Sequence, residues 1–595
     1  MNRTGIALVT ALAVMALAAL LAFGLFFTTQ IEEWVTRNEV TAARAYYAAH
    51  AGLQKYKTAL FQNFRWALGN VSPTNLEACQ NILAGGIYWD RNPTGSPSPF
   101  PMKFKESFPD GSWAEVTISQ ASIPQGVDVS RESSIALLVE SVGGYGAAKS
   151  TVRAMVILTD ASQWNYALFS RQAYSGKTAG SAAIHGGLYI EGDPNNLLPP
   201  SEPALQQTGS TGVFNTYDLS KNYSDVLSKP KVGNLCASLR VRYGWIIMEG
   251  ASSLGTKDAP LISVAVGSPD AKAGDANKDS PLIYKCPGNN YERCDLVNKA
   301  SIHALGKVGR FDLMDPPVFP ELGSSDCTSS NSLRCQIRKE AQEKGLRVEY
   351  GSPPTLSFPR GAIWNNKDPN NTDPSQPPQS CREALAKQTL SLGLRAIDCT
   401  YSKDGVNPAG GFRYSPGNPG TLEVFGTVDL IGYNLEVAKS ILGEAIVYKA
   451  YSFSQSGYGA SIVVEKAGSS GGDISIKGSV KPDASFRKFP DQVLGLIAEG
   501  NIRQWKNTEV FASLYAGNEY RMSEKGSGAQ TTLVGNVIAN QFCVSAEKGM
   551  DESTCVPGSG AAIYFVDTSS NRSAVLVKMV PDQKPTFQIV MYERK

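Results

Sequence analysis

The sequence has little charge and almost no histidine. Charged residues make up 18% of the 595 residues, the formal net charge is +2, and there are 3 histidines. So small a net charge excludes a strong overall attraction to nucleic acid or anionic membranes, and any such binding needs a local patch. With so few histidines, none of them near a cysteine pair, a zinc site is a poor fit.

Signals for enzymatic chemistry are equally scarce. Gly176-Lys177-Thr178 resembles the end of a phosphate-binding loop, but Arg171 stands where that loop requires its first glycine. The sequence also contains no tight cluster of carboxylates of the kind that polysaccharide hydrolases use. We therefore expect a protein that is not an enzyme and that carries no cofactor or metal.

The ten cysteines contain no Cys-x-x-Cys motif, and most of them lie close to another cysteine. An even count with local spacing is typical of disulfides formed outside the cytosol. Proximity favours one pairing without fixing it. The favoured pairs are Cys286 with Cys294, Cys327 with Cys335, Cys381 with Cys399, Cys543 with Cys555, and the long-range couple Cys79 with Cys236.

The N-terminus carries an apolar run, residues 6–27, that is long enough to cross a bilayer as a helix. Arg3 precedes the run and Glu32 and Glu33 follow it, which favours a cytoplasmic N-terminus. Apolar residues then continue at intervals of three or four, with no proline before Pro73. The pattern predicts one continuous helix of roughly 60 residues, first in lipid and then packed on a globular head.

A secretory signal peptide and a plain single-span anchor are the alternatives for this segment. The apolar run is longer than a usual signal-peptide core, and no small-residue cleavage site precedes a loop. The continuing helix therefore favours a retained stem.

Two short segments resemble type IV prepilins. Residues 3–12 (RTGIALVTAL) resemble the basic leader and cleavage site of these proteins, and residues 44–53 (RAYYAAHAGL) resemble a second segment of the PilX-like group of minor pilins. The resemblance implies cleavage between Gly5 and Ile6 by prepilin peptidase, followed by N-methylation of Ile6. It also implies residence in the inner membrane before assembly, and then incorporation into a filament with other pilins.

Two positions depart from that family pattern. Thr10 replaces the usual acidic residue at the fifth mature position, and His50 replaces the usual glutamate of the second segment. In the family, subunits without the first carboxylate tend to initiate or cap the filament. The resemblance therefore implies a minor, tip-located pilin.

The rest of the chain has mainly β character. Alternating runs at 113–118, 134–139 and 151–158 predict antiparallel strands that complete the pilin head. Beyond them, an apolar-x-Gly-polar-apolar pattern recurs, in which glycine permits a sharp turn onto the next rung. The pattern occurs at 304–308, 424–428, 476–480, 498–502 and 533–537, with a partial copy at 190–193.

The predicted fold class is an α+β pilin fold, a long N-terminal helix plus an antiparallel sheet, that carries a large mainly-β domain. A β-solenoid is the first interpretation of that domain, and a β-sandwich or barrel is the alternative. Short helices are predicted at 332–341 and 381–387 within it. The predicted segments are the leader 1–5, the membrane half of the helix 6–28, the amphipathic helix and head 29–165, the β-rich domain 166–580, and a terminal strand in 581–595 that either returns to the pilin sheet or ends the β-domain.

Cations stand beside aromatic residues at 486–489 and 503–506, and a third basic surface is predicted on the helix at 334–347. Lysine and arginine can neutralise phosphates while aromatic faces stack on bases. The alternative is a solvated face beside core aromatics. The candidate DNA-binding residues are Arg487, Lys488, Arg503, Trp505, Lys506, Arg334, Arg338 and Lys339.

The size and build of the chain resemble the ComZ-type competence pilins, which are linked to DNA capture in natural transformation. That resemblance implies a minor subunit at the tip or surface of a type IV pilus whose β-domain binds extracellular DNA for uptake. The alternatives are a tip adhesin for a surface glycan or protein, a tip pseudopilin of a type II secretion system, and a membrane-anchored solenoid enzyme.

Overall fold

The structure, a computed structural model, describes most of the chain. The chain folds as two compact units, one of residues 1–62, 99–159 and 586–595, and the other of residues 63–98 and 160–585. The described residues are 3–67, 102–121, 134–159, 166–171, 177–178, 182–235, 237–261, 263–268, 280–286, 290–297, 302–304, 308–310, 319–328, 332–364, 373, 375–393, 395–403, 408–437, 445–452, 458–522, 531–544, 560–568, 571 and 588–594.

A single long helix opens the first unit. This helix, α1, runs from Arg3 to Ala67, so the predicted continuous helix is confirmed. Its apolar part has a mean hydropathy of 2.5 and is long and apolar enough to cross a membrane, by length and composition. Large apolar side chains there, such as Leu20 and Phe23, are exposed. Exposed apolar surface of this extent is stable in lipid or against other helices, not in water.

The first unit also contains an antiparallel sheet of five strands. Four of them follow α1 in order: β1 Met102–Ser107, β2 Trp113–Ala121, β3 Ser134–Tyr145 and β4 Ala148–Thr159. The last three confirm the strands predicted from the runs at 113–118, 134–139 and 151–158. The fifth is the C-terminal strand Gln588–Arg594, which pairs with β4. The strand that the sequence left unassigned therefore returns to the pilin sheet.

Small residues let α1 lie directly on this sheet. A Cβ atom added to Gly143 of β3 would come within 2.2 Å of the backbone of Ala45 and Ala49, and one added to Gly52 would come within 2.7 Å of Ser141. Ala45, Ala49 and Gly52 all belong to the segment that resembles minor pilins. Its small residues therefore have a packing role, because any larger side chain would push the helix off the sheet.

The second unit is built from many short strands. The strands up to residue 310 are β5 Leu168–Ser170, β6 Lys177–Thr178, β7 Ala183–His185, β8 Leu188–Gly192, β9 Leu205–Gln207, β10 Gly212–Phe214, β11 Tyr217–Asp218, β12 Lys231–Val232, β13 Leu239–Tyr243, β14 Ile246–Met248, β15 Ser253–Leu254, β16 Val264–Val266, β17 Ile283–Lys285, β18 Asp295–Leu296 and β19 Val308–Gly309.

The strands that follow are β20 Leu346–Glu349, β21 Thr355–Ser357, β22 Ile363–Trp364, β23 Thr389–Leu392, β24 Ile397–Ser402, β25 Pro408–Ser415, β26 Gly420–Phe425, β27 Thr427–Ile431, β28 Asn434–Val437, β29 Ile446–Tyr451, β30 Gly459–Ala467, β31 Ser470–Gly471, β32 Ile474–Ile476, β33 Val480–Pro482, β34 Val493–Ala498, β35 Ile502–Gln504, β36 Glu509–Met522, β37 Thr531–Val544 and β38 Ala561–Phe565. The helices are α2 Ser220–Tyr223, α3 Leu333–Lys344, α4 Gln379–Leu385 and a 3-10 turn Tyr291–Arg293. The two predicted short helices correspond to α3 and α4.

Parallel pairing arranges most of these strands in three stacks. The first stack is β19-β16-β13-β8-β5-β37-β36-β34-β30-β27-β20. The second is β17-β14-β9-β6-β37-β36-β35-β32-β28-β23. The third is β15-β10-β7-β38-β37-β36-β33-β29-β26.

The chain visits the three stacks in a fixed cyclic order, third, first and then second, as in β26-β27-β28 and again in β29-β30-β32. The long strands β36 and β37 run through all three stacks. Apolar residues at equal register, such as Leu188, Val428 and Val537, stack in the buried core. This cyclic order agrees with the β-solenoid interpretation of the domain, which stays a prediction.

Glycines of the recurring pattern stand where one strand gives way to the next. Gly426, with a φ of +71°, separates β26 from β27. Gly500 separates β34 from β35, and a Cβ atom there would lie 2.1 Å from Asp473 Oδ1. Each position therefore requires glycine, one for its left-handed backbone and the other for a close approach.

The order of the turns differs from the order of the sequence. The first strand of the second unit, β5, pairs with β37 near its end, with Leu168 opposite Val537. From β5, the chain up to residue 309 adds strands along the stacks until β19 forms one end of the first stack. The chain from 346 onward starts with β20 at the other end of that stack and adds strands back toward β5, until β38 pairs with β7. The first and last turns of the unit are therefore neighbours.

Among the described residues, both cysteines of three disulfides are present, and all three bonds lie in the second unit: Cys286 to Cys294, Cys327 to Cys335 and Cys381 to Cys399. Each is one of the favoured local pairs. Cys543 is also disulfide-bonded, whereas Cys79, Cys236 and Cys555 lie outside the described residues. The bonds tie α3, α4 and the 3-10 turn to neighbouring segments, and Ile337 of α3 and Leu385 of α4 belong to the buried core.

Replacing Cys381 and Cys399 together by alanine should lower the free energy of unfolding by about 3 kcal/mol, because the bond closes a loop of 18 residues and ties α4 to β24. Urea denaturation of the oxidised protein, followed by tryptophan fluorescence, measures the change. An unchanged unfolding midpoint would show that α4 is held without the bond.

Candidate nucleic-acid interface

The segment between β33 and β34 presents a cation on an aromatic ring. The Arg487 guanidinium carbon lies 3.6 Å from the centroid of the Tyr458 ring, and Arg487 is exposed. Phe486 packs between Tyr451 and Tyr458, with ring centroids 4.9 and 5.6 Å away. A guanidinium stacked in this way keeps its edge N–H groups free to meet an anion. We call Tyr458 and residues 486–488 the 487 corner.

Local hydrogen bonds fix the shape of the 487 corner. The Asp483 carboxylate accepts hydrogen bonds from the backbone N–H and the hydroxyl of Ser485. The buried Gln492 side chain donates to the carbonyl groups of Asp483 and Arg487. Lys488 Nζ donates to the carbonyl oxygen of Ser224 at 2.9 Å. The loop is therefore preorganised.

Two carboxylates near the 487 corner are paired with other lysines, whereas the exposed Asp491 accepts a hydrogen bond from the Ser228 hydroxyl. Lys449 Nζ lies 3.6 Å from Asp483, and Lys481 forms an ion pair with Glu509. Although burial opposes the shift, hydrogen bonds from Ser485 and the charge of Lys449 lower the pKa of Asp483. Arg487 and Lys488 therefore give this edge a local positive excess.

A second group surrounds Trp505, between β35 and β36. Lys477 Nζ lies 5.0 Å from the Trp505 ring centroid and donates to Glu436 at 2.5 Å. Arg503, Trp505 and Lys506 are all half-buried. We call Lys477, Arg503, Trp505 and Lys506 the 505 corner.

The two corners lie at different edges of the stacks. The 487 corner follows β33 of the third stack and precedes β34 of the first, whereas Trp505 and Lys506 lie where the chain passes from the second stack to the third. The residues of the two corners lie close together in the sequence. In the structure they lie on two different surfaces of the second unit.

The third predicted group, on α3, has a different environment. Arg334 Nη2 donates to Glu499 at 2.7 Å, and Arg338 Nη2 and Nε donate to Glu465 at 2.5 and 3.0 Å. The Glu465 side chain is fully buried, and Arg334 is 8% exposed. These two guanidinium groups act as internal counter-ions, so we leave them out of the proposed interface.

Lys339, on the same helix, differs from its neighbours. Its side chain is 74% exposed and lies 4.0 Å from Glu343 one turn away. An exposed pair of this kind contributes little to stability. Of the three predicted residues on α3, Lys339 is the one at the surface.

Beneath α3 lies a cluster of buried carboxylates that the sequence did not reveal. Burial, and then the charge of Glu465, raise the pKa of Asp429 well above its usual value. Burial also raises the pKa of Glu465, while Arg338 opposes that rise. The partners lie on β27, β30 and α3, far apart in sequence. No spacing pattern could have predicted these contacts.

Gly5 and Ile6, the residues between which cleavage is predicted, lie in the first turns of α1. The first unit has the architecture of a pilin subunit. Its helix is apolar at its start and packs through small residues on an antiparallel sheet, and the chain leaves this sheet after the fourth strand and returns to it as the fifth. Together with the N-terminal motifs, this defines the class of the chain as a type IV minor pilin that carries a large mainly-β domain.

Comparison with solved structures specifies the class further. The chain is similar to the competence-associated pilin ComZ from Thermus thermophilus, with a TM-score of 0.61 and 28% sequence identity over 93% of this chain and 97% of that chain. The chain is therefore a ComZ-like type IV minor pilin. Neither a protein-family model nor a curated protein sequence matches it.

Proposed function

We propose that this chain is a minor, tip-located subunit of a competence pilus whose second unit, a β-solenoid, binds extracellular DNA for uptake. The observation that carries the proposal is the exposed Arg487 stacked on Tyr458 beside Lys488, in a chain that is ComZ-like along 93% of its length. Before assembly, α1 anchors the subunit in the inner membrane. After assembly, α1 packs with other pilins and the second unit faces the outside.

Binding would combine phosphate neutralisation with stacking. Arg487 and Lys488 would contact phosphates, and the half-buried rings of Phe486 and Tyr458 would contact sugars or unpaired bases. Arg503, Trp505 and Lys506 would extend the contact along an adjoining edge. These contacts are to backbone and ring faces, so the proposal implies little dependence on base sequence.

DNA retardation by the full-length protein in detergent micelles tests the proposal. With two to four cations engaged, the logarithm of the affinity should fall with the logarithm of the salt concentration with a slope of about −2 to −4. A slope near zero, or no retardation at low salt, would contradict DNA binding and would favour an adhesin.

Processing is tested separately by mass spectrometry of the protein isolated from its own cells. The proposal expects a mature chain that begins at a methylated Ile6, because prepilin peptidase would cut after Gly5 and leave the apolar helix in place. A mature chain that begins near residue 30 would mean that the helix is removed, and would exclude a pilin stem.

A further inference from the structure

The second unit contains a cleft that the DNA-binding proposal does not use. Its volume is about 580 Å³, within the range of small-ligand sites. It lies beside the C-terminal end of α3, among strands β24, β25, β26 and β29. Its lining includes Tyr401, Arg413, Glu423, Phe425 and Tyr451, and we call it the β25 cleft.

Three aromatic rings lie at the β25 cleft, of which Tyr451 is half-buried, Phe425 is 9% exposed and Tyr401 is 1% exposed. Phe425 and Tyr451 are register partners on β26 and β29, and their rings stack 4.5 Å apart with an interplanar angle of 8°. Tyr401 lines the cleft from β24 and is itself stacked on Phe358 at 5.7 Å. The rings cannot turn away independently, because each is packed against another ring.

Polar groups in the cleft are held in fixed positions. Asp398, Arg413 and Glu423 are cross-strand neighbours on β24, β25 and β26. Arg413 Nε donates to Asp398 at 3.0 Å, and its Nη1 donates to Glu423 at 3.4 Å. Burial and the adjacent Glu423 raise the pKa of the Tyr451 hydroxyl to about 12, so the hydroxyl remains a hydrogen-bond donor. Planar donors and acceptors are therefore aligned beside the stacked rings.

The charges around the cleft nearly cancel. Lys344, Lys403 and Arg413 line it, but so do Glu343 and Glu423, and Asp398 pairs with Arg413. Polyanions such as DNA gain little from a balanced surface of this kind, in contrast to the 487 corner. A neutral ligand that combines an apolar face with many hydroxyl groups matches both the rings and the fixed polar groups.

We propose that the β25 cleft binds a neutral oligosaccharide, with a sugar ring packed against the half-buried Tyr451, which Phe425 supports from behind, and its hydroxyl groups bound by Arg413 and Glu423. The chemistry of such a ligand is that of cell-surface or extracellular glycans without acidic groups. The two sites use different cations and differ in local charge, and they adjoin where Tyr451 of the β25 cleft packs on Phe486 of the 487 corner, with ring centroids 4.9 Å apart.

The test uses the full-length protein in a zwitterionic detergent, because maltoside and glucoside detergents carry sugars themselves. A glycan array that includes neutral and acidic glycans should retain the protein on neutral members, and calorimetry with the best soluble one gives the affinity. Tyr451→Ala and Glu423→Gln should each weaken that affinity at least tenfold. Retention on acidic glycans alone, or on no glycan, would overturn the proposal.

Two controls separate this site from DNA binding. Tyr350→Ala removes an aromatic side chain that is 41% exposed and is not among the lining residues, so sugar affinity should stay unchanged. The double variant Arg487→Ser/Lys488→Ser should lose DNA affinity and keep sugar affinity. If Tyr451→Ala does not fold, Glu423→Gln alone decides the matter, since it preserves the shape of the side chain. Displacement of the sugar by a single-stranded oligonucleotide would also overturn the assignment.

Discussion

Changing Arg487, Lys488, Arg503 and Lys506 together to serine should weaken DNA binding at least about tenfold near 0.1 M salt, and should reduce the salt slope by about 2 to 4. Each lysine or arginine that contacts a phosphate releases condensed counter-ions, so its loss lowers both the affinity and the salt dependence. The expectation depends most on Arg487, which is exposed and held in place by its contact with Tyr458.

A matched control keeps the charge change equal. Four exposed cations of the second unit that belong to neither corner can be changed to serine together, namely Lys257, Lys285, Arg360 and Arg382. If this control variant loses as much affinity as the first, DNA binding reflects overall charge and not the two corners. Variants of each corner alone, 487 with 488 or 503 with 506, then show which edge carries the contact.

Arg338→Ala should destabilise the second unit by about 3–5 kcal/mol, because it leaves the fully buried Glu465 carboxylate without its two strongest hydrogen bonds. Urea denaturation monitored by circular dichroism measures the loss. The double variant Arg338→Ala/Glu465→Gln should regain part of it, since the unpaired charge is then gone.

Lys339→Ala, one residue further along α3, is the control for the Arg338 variant. Its side chain is 74% exposed, so the free energy of unfolding should change by no more than about 0.5 kcal/mol. Equal losses in the two variants would mean that helix propensity, not the buried ion pair, sets the effect. Unchanged DNA affinity in Arg338→Ala would agree with its place as an internal counter-ion.

Local patterns in the sequence predicted the elements that local physics determines. The helix α1, the head strands β2 to β4, the short helices α3 and α4, and glycine turns such as Gly426 all follow from periodicity or backbone conformation. The resemblance of residues 3–12 and 44–53 to minor pilins supplied the class. Each of these signals lies within a short stretch of chain.

Contacts between distant segments could not be predicted from the sequence. Arg334 and Arg338 occur in a basic stretch that favours a DNA-binding surface, yet their partners Glu465 and Glu499 lie far along the chain. The neighbouring positions of β5 and β37 likewise depend on the chain reversing its direction along the stacks. In both cases the outcome depends on which distant segments pack together, and the spacing of residues along the chain does not predict that.

The return of the C-terminal strand has a consequence for how such proteins diversify. Ile157, near the end of β4, lies opposite Gln588, so everything between these two strands is inserted at one edge of an intact sheet. If the chain between β4 and the C-terminal strand were exchanged for another domain, or for a tight hairpin, α1 and the five-stranded sheet would still be complete. A new second unit could in this way be joined to the first unit while α1 and its five-stranded sheet stay the same.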